Sequence, residues 1–328
     1  MAVKILGTGS YLPPKVVTND DLAKTLDTSD EWIYSHTGIH SRHVAEEGEC
    51  TSTMAAKAGR AAMDAAGVTP EEIGLIVVAT SSPDYNTFPS TACLVQALLA
   101  CSATGAYDLQ AACAGFVYAL DQARGWVKMN PDRKALVIGA ETLSRVVDWR
   151  DRASCILFGD GAGAVVLGDD ATATDAPEAH TVLWADGKGA GFIYRDGGTR
   201  LPAPAGTIPI PYLVLQGHDV FAFAVRSLSK VTTQLCDKLG TTPADLDRVF
   251  AHQANGRIIE AVARRMRLPL EKFYLNLDTT GNTSAASIPI ALDEAVRKGV
   301  LSDGMKIVLC GFGSGLTYAG TYLQWPYL

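Results

Sequence analysis

The sequence predicts a duplicated α/β fold, a five-layered α/β/α/β/α sandwich made of two similar halves, residues 1–172 and 173–328. Three observations lead there. First, related segments recur in one order at offsets of 172 or 173 residues: TPEEIGLIVVA from Thr69 with TPADLDRVFAH from Thr242, Ala119-Leu120-Asp121 with Ala291-Leu292-Asp293, and KALVIGA from Lys134 with KIVLCGF from Lys306. A constant period marks a tandem repeat. Second, short continuous apolar runs alternate with helical patterns, as expected of buried strands in α/β layers. Third, one helix in each half, near 113–127 and 284–298, is apolar on most faces and therefore interior.

The elements follow in order. STMAAKAGRAAMDAAG reads as a helix, IGLIVVAT as a strand and CAGFVYALDQARGWV as the first buried helix; ALVIGAE and AGAVVLG close the half as strands. VRSLSKVTTQLCDKLG, DRVFAH, SAASIPIALDEAV, KIVLCGF and YAGTYLQW repeat that series. Gly187–Pro211, rich in Gly and Pro, is too long for a plain connection and reads as a functional or mobile loop. GTGSYLP near the N-terminus has Gly7 and Gly9 but Leu12 where a dinucleotide fingerprint needs glycine, so a Rossmann site is excluded.

Bulk properties narrow the function. With 48% hydrophobic and 19% charged residues, the chain can build a large core. No apolar run reaches the ~18 residues of a membrane span, and no signal core is seen at the N-terminus. The expectation is a cytoplasmic protein. Seven cysteines, odd in number and without a CxxC pair, fit free thiols rather than disulfides or zinc. A net charge of −7 argues against nucleic-acid binding.

DLQAACAGFVYAL places Cys113 where a strand gives way to the first buried helix; the matching position in the second half is Ala285. A lone cysteine is ordinarily an inert small hydrophobe. At a helix N-terminus, however, unpaired amides and the dipole favour a thiolate, whereas burial opposes it, so a neighbouring donor or base is expected. VFAHQANGRI puts His252 at a strand end, and TTGNTSAAS puts Asn282 in the turn before the second buried helix. Singly these are an ordinary strand-end histidine and a helix-start asparagine. Both fall on loops that should face Cys113 across the pseudo-twofold axis. GFGSG, Gly311–Gly315, is suited to supply one backbone donor of an oxyanion hole, with the Cys113 amide as the other.

With ACAGF, HQAN, GNTSAAS and FGDGAGA, and from GTGSYLP and TSDEWIYSHTGI to the last strand, the chain resembles the β-ketoacyl-acyl-carrier-protein synthase III family. These are thiolase-fold condensing enzymes that start bacterial fatty-acid synthesis. The resemblance implies a decarboxylative Claisen condensation of an acyl-CoA starter with malonyl-acyl-carrier protein, through an acyl-cysteine on Cys113. It implies His252 and Asn282 as donors to the enolate, and the Cys113 and Ser314 amides as the oxyanion hole. It assigns coenzyme A, a substrate rather than a cofactor, to Thr28, Trp32, His36, Arg152, Gly217 and Asn255, with Trp32 and Arg152 about the adenine. Leu157 and Phe158 fall in the acyl pocket; Phe88 reaches into the neighbouring subunit's pocket and so implies a homodimer. Arg257, Arg264, Arg265 and Arg267 form a basic stripe for the acidic carrier protein. No metal and no bound cofactor are implied.

The chain also departs from the family. His36 replaces the usual arginine at the coenzyme phosphates, Ala222 replaces a lysine at the site mouth, the Gly187–Pro211 loop is longer, and the tail QWPYL runs past the usual end. Rivals are weaker. A papain-like protease lacks its CGSCW context, a thiolase would need Cys310 in an out-of-register place, and a non-catalytic binding module would not need Cys113, His252 and Asn282 together. A related condensing enzyme of a specialised, polyketide-type pathway stays open.

Overall fold

The structure is a computed structural model that describes residues 2–173, 179–196 and 212–328. The strands β1 (Ala2–Tyr11), β2 (Ile73–Ala79), β3 (Gly105–Leu109), β4 (Lys134–Thr142) and β5 (Asp160–Asp170) form one sheet in the order β1-β5-β4-β2-β3. A second sheet holds β6 (His180–Ala185), β7 (Arg248–Ala251), β8 (Lys306–Gly313) and β9 (Thr317–Gln324) in the order β6-β9-β8-β7. The pairing repeats as well. β2–β4 and β7–β8 are parallel, and the remaining matched pairs are antiparallel. Only β3 lacks a partner in the repeat, where it has shrunk to an isolated parallel bridge between Val249 and Phe273.

The helices α1 (Asp30–Thr37), α2 (Thr51–Ala66), α3 (Gly115–Met129), α4 (Gly217–Lys238), α5 (Gly256–Met266) and α6 (Ser287–Arg297) complete the layers, together with the short helix Thr91–Leu98 packed on α2. Strand alternation decides what each layer touches. On β4, Ala135 and Val137 join the central core with Phe116 of α3 and Ile288 of α6, whereas Leu136 and Ile138 face α2. On β8, Ile307 and Leu309 point inward, and Val308 and Cys310 pack under α4 and α5. The result is the expected five-layered sandwich, with α3 and α6 between the sheets. Asp293 of α6 is 2% exposed and accepts hydrogen bonds from Thr8 and Ser10 of β1 at 2.8 and 2.6 Å, pairing also with Arg297, so the buried charge is satisfied across the two halves.

The interior helices begin later than the apolar pattern predicts. Each is preceded by a 3-10 turn, Ala112–Ala114 and Ser284–Ala286, whose first residues have φ of +48° and +49°. An α-helix cannot use that conformation, so it starts only at Gly115 and Ser287. The tail acquires a place. Ile5 donates to the Pro326 carbonyl and Leu328 to the Val3 carbonyl, at 2.9 and 2.7 Å, which straps the C-terminus onto β1. Of the long loop, Gly187–Gly189 forms a turn and Ile193–Arg195 pairs with Leu213–Leu215; residues 197–211 lie outside the described residues.

Candidate active site

The two 3-10 turns meet at the centre of the molecule and bring Cys113, His252 and Asn282 onto one cavity of about 510 Å3. Leu143, Leu157, Phe158, Val220, Ile258 and Phe312 line it. Cys113 is reached from this cavity and is otherwise enclosed. Burial dominates over its turn amide and pushes the thiol up to about 12, so the resting residue is a neutral thiol. The expected neighbouring donor is Ser284, whose Oγ lies 3.1 Å from Cys113 Sγ.

His252, 1% exposed, is pushed down to about 3 by burial and stays neutral. A neutral imidazole has one N–H, and the residue beside Nδ1 decides where it sits. That residue is Ser287, with Oγ at 2.7 Å. The Ser287 hydroxyl donates to the Ser284 carbonyl at 2.8 Å, so its oxygen faces Nδ1 as an acceptor; an Nε2–H tautomer requires that hydroxyl to turn from the carbonyl to Nδ1. Asn282 Oδ1 accepts the Ser284 amide at 2.9 Å, which fixes the side-chain orientation and leaves the Nδ2 hydrogens for a substrate. The backbone of Asn282 also pairs with Leu157 and Gly159, at 2.8 and 3.0 Å, so the donor turn and the cavity wall are one unit.

The glycine-rich loop stands against the nucleophile. A Cβ at Gly313 would come within 2.6 Å of the Cys113 amide nitrogen, so only glycine leaves that amide open toward the cavity. Ser314 lines the same space, and its hydroxyl donates to the Ile193 carbonyl at 2.5 Å, tying the described part of the long loop to the site.

Two family models match. That of "3-Oxoacyl-[acyl-carrier-protein (ACP)] synthase III" covers residues 107–187, and its C-terminal companion covers residues 236–325. A β-ketoacyl-[acyl-carrier-protein] synthase III from Caldanaerobacter subterraneus subsp. tengcongensis is 46% identical over 99% of this chain and 98% of its own. The chain belongs to the 3-oxoacyl-[acyl-carrier-protein] synthase III family. It is a condensing acyltransferase of fatty-acid initiation. The crystal structure of the Aquifex aeolicus synthase III, 44% identical, superposes with a TM-score of 0.90 over 98% of this chain and all of that one. A priming β-ketosynthase of a polyketide biosynthetic pathway, 37% identical, gives 0.89 over 99% and 96%.

The residues carried over for coenzyme A divide into two groups. Gly217 and Asn255 line the cavity, whereas Thr28, Trp32, His36 and Arg152 lie off it. Arg152 sits directly over the Trp32 ring, 4.6 Å from its centroid, and donates to the Asp27 carbonyl at 2.5 Å. An adenine entering between Trp32 and Arg152 therefore has to lift the guanidinium off the indole. His36 stacks on Trp32 with centroids 4.2 Å apart and holds Nδ1 2.7 Å from the Trp32 carbonyl, so it braces the platform from its own helix. Asn255 caps α5 and donates to the His36 carbonyl at 3.1 Å, which joins the two groups. Thr28 Oγ1 is enclosed without a partner.

The basic stripe differs from the helical reading. Arg257 is turned onto α1, donating to the Ser35 and Tyr34 carbonyls at 2.8 and 3.2 Å while pairing with Glu260. Arg267 is the C-cap of α5 with φ of +56°, off the helical face, because the helix ends at Met266. Arg264 and Arg265 stay exposed in the last turn. Phe88 does not line this chain's cavity; it projects from the surface, 82% exposed. Sequence reasoning passed over Ser284, Ser287 and Glu141. The first two stood inside GNTSAAS, and all three lie one to three residues from positions that the repeat aligns with the site.

Proposed function

We propose that Cys113 accepts the starter acyl group from acyl-CoA, and that His252 and Asn282 hold the enolate formed when a malonyl group on acyl-carrier protein loses carbon dioxide. The observation that carries this reading is the convergence of these three side chains on one largely apolar cavity. Thioester exchange onto Cys113 leaves an oxyanion beside the Cys113 and Ser314 amides. Decarboxylation then needs hydrogen-bond donors rather than a base. A neutral His252, carrying its proton on Nε2 once Ser287 turns its hydroxyl to Nδ1, and the Asn282 amide supply them, and neither adds a charge that would trap the malonyl carboxylate. The enolate attacks the acyl-cysteine, the Cys113 thiolate leaves, and a β-ketoacyl-carrier protein results. Hydrogen bonding alone serves these steps, so no resident cofactor or metal is required.

Arg264 and Arg265, exposed in the last turn of the helix that Asn255 caps, suit an acidic carrier protein, with Arg257 orienting α1 instead of docking. Phe88, with Tyr85 and Leu98 each 53% exposed, offers an apolar surface for a second copy of the chain, giving a homodimer. The free thiols fit a reducing cytoplasm; no helix among the described residues is long and apolar enough to cross a membrane. The test is intact mass after incubation with a series of acyl-CoAs, followed by peptide mapping. One adduct per chain on Cys113, absent in Cys113→Ala, is expected; an adduct elsewhere removes the nucleophile assignment. The preferred acyl length separates primary initiation from a specialised pathway.

A further inference from the structure

Cys113 rests as a neutral thiol, so its proton has to go somewhere when it attacks, and neither His252 nor Asn282 is suited to keep it. Burial makes His252 a weak base, pushed down to about 3, and Asn282 is an amide. One carboxyl group lies behind the nucleophile. Glu141, on β4, is fully buried beneath the Ser284–Ala286 turn. It accepts the Ser81 amide at 3.0 Å, the Ser82 hydroxyl at 2.5 Å and the Thr80 hydroxyl at 3.3 Å. The Ser284 side chain and the Ala285 amide lie close enough to steady its charged form. Every group that holds it is neutral, so it has no cation to fix its ionisation. The close approach is built into the strand: two residues before Glu141, a Cβ at Gly139 would meet the Ala285 carbonyl oxygen at 2.2 Å.

We propose that Glu141 is the positioning residue that stores the Cys113 proton, with Ser284 as the relay between them. At rest the Ser284 hydroxyl donates to Cys113 Sγ, 3.1 Å away; for the transfer it turns to the Glu141 carboxylate and passes its proton there as Sγ gives its own proton to Ser284 Oγ. The sulfur electron pair forms the bond to the acyl carbon. The donor thioester C–S bond breaks, and the coenzyme thiolate takes a proton from solvent. Glu141 stays protonated while the acyl-cysteine lasts. When the enolate displaces the acyl group, the C–Sγ bond breaks and the proton returns through Ser284 to the sulfur. Charge inside the site is thus never increased by the acylation step. The raised proton affinity that burial gives Glu141 suits a transient store.

This rests on Cys113 being the nucleophile, which the wild-type adduct tests separately. The relay is tested by single-turnover acylation of wild type, Glu141→Gln, Ser284→Ala and the double variant, from pH 5.5 to 9.5. Gln keeps the shape of Glu and loses the proton-accepting oxygen. Each single variant should acylate about 30-fold more slowly at saturating acyl-CoA, with its KM unchanged, and the double variant no more slowly than either single, because two members of one relay act as a unit. In the variants the acylation rate should climb with hydroxide through the whole range, whereas wild type levels off once Glu141 is ionised. Acylation of Glu141→Gln within about threefold of wild type, or losses that multiply in the double variant, overturns the relay. Should Glu141→Gln not fold, Ser284→Ala carries the same pH and KM readouts: wild-type levelling in that variant also overturns the proposal.

Discussion

The two strand–turn–helix units at the centre of the molecule share a backbone plan and divide the chemistry. Ala112 and Ser284 open their turns with nearly equal positive φ, and α3 and α6 begin 172 residues apart. Gly139 and Gly311 occupy matching strand positions where a side chain would strike the opposite turn. Ala79 matches His252 at an offset of 173, and at 172 Gln110 matches Asn282, Cys113 matches Ala285, and Glu141 matches Gly313. The last pair is the most instructive. In one copy a protein carboxylate lies close to the turn amide of Ala285; in the other, glycine leaves the corresponding amide of Cys113 open toward the cavity. One turn is filled from within and its twin stays open to the cavity. Duplication supplied the geometry twice, and the site arose by making the copies unlike.

The comparison is broken most severely at Asn282. Asn282→Asp exchanges the donors that Gln110 also carries for a charged acceptor facing a developing enolate. Loss of one donor of this kind costs 10²–10³-fold, and added like charge should bring the fall in malonyl decarboxylation to about 10³-fold or more. Acylation of Cys113 should stay within about threefold, since the oxyanion amides are untouched. Carbon dioxide release and adduct formation are measured on one preparation; equal losses would show that the halves do not divide the two reactions. Gly313→Ala comes next. It makes the open turn resemble its filled twin by setting a methyl against the Cys113 amide, and should slow acylation by about 10²-fold with little change in the acyl-CoA KM. A KM effect alone would mean that this amide holds ground state and oxyanion equally.

Much of this division was legible in sequence because it is written as a repeat. The constant offset paired the turns, and apolar helices between apolar strands implied the layers. Cys113 stood out because its twin is alanine. What stayed hidden depends on contacts between halves. Nothing local tells that Glu141 of IGAE lies under Ser284, or that Ser287 sets the His252 tautomer, since those neighbours are separated by 143 and 35 residues. The arginine stripe misled for a related reason. Helical periodicity places Arg257 on one face with Arg264, but it cannot show that α1 carbonyls wait beside it. The closed Trp32–Arg152 stack is likewise a tertiary contact.

The outer surfaces sharpen the contrast more gently. The first-half helix in the place of α5, Thr91–Leu98, and the turn before it, DYNTFPS, have no basic residue, and the turn exposes Phe88, while α5 ends in Arg264 and Arg265. Arg264 is 73% exposed, and its ion pair among the described residues, to Glu260, is a long 3.9 Å. Arg264→Glu should raise the KM for malonyl-carrier protein several-fold, about what one reversed rim charge does to association, and leave the acyl-CoA KM alone. The effect should shrink with added salt. An unchanged carrier KM would assign docking to another face.

The smallest expected effect is on stability, and here the halves pull in opposite directions. His252 has its folded value lowered from 6.5 to about 3, so the unfolded chain binds a proton that the folded chain refuses. Its contribution is therefore complete above pH 6.5 and is lost progressively as the pH falls from there toward 3. At pH 5 the loss is about 2 kcal/mol, or about 3 °C in Tm for a cooperative unit of this size. Glu141 in the first half has the reverse sign: its value is raised, so its contribution is present in acid and declines as the pH rises through the ordinary carboxylate range. Ala79, the counterpart of His252, does not titrate. His252→Gln makes the second half equally silent, so its Tm should fall less than wild type between pH 7.5 and 5 by about that 3 °C. Parallel curves for the two proteins would mean that the folded site tolerates an imidazolium, and a donor that can be charged at His252 would then have to replace the neutral one in the condensation step.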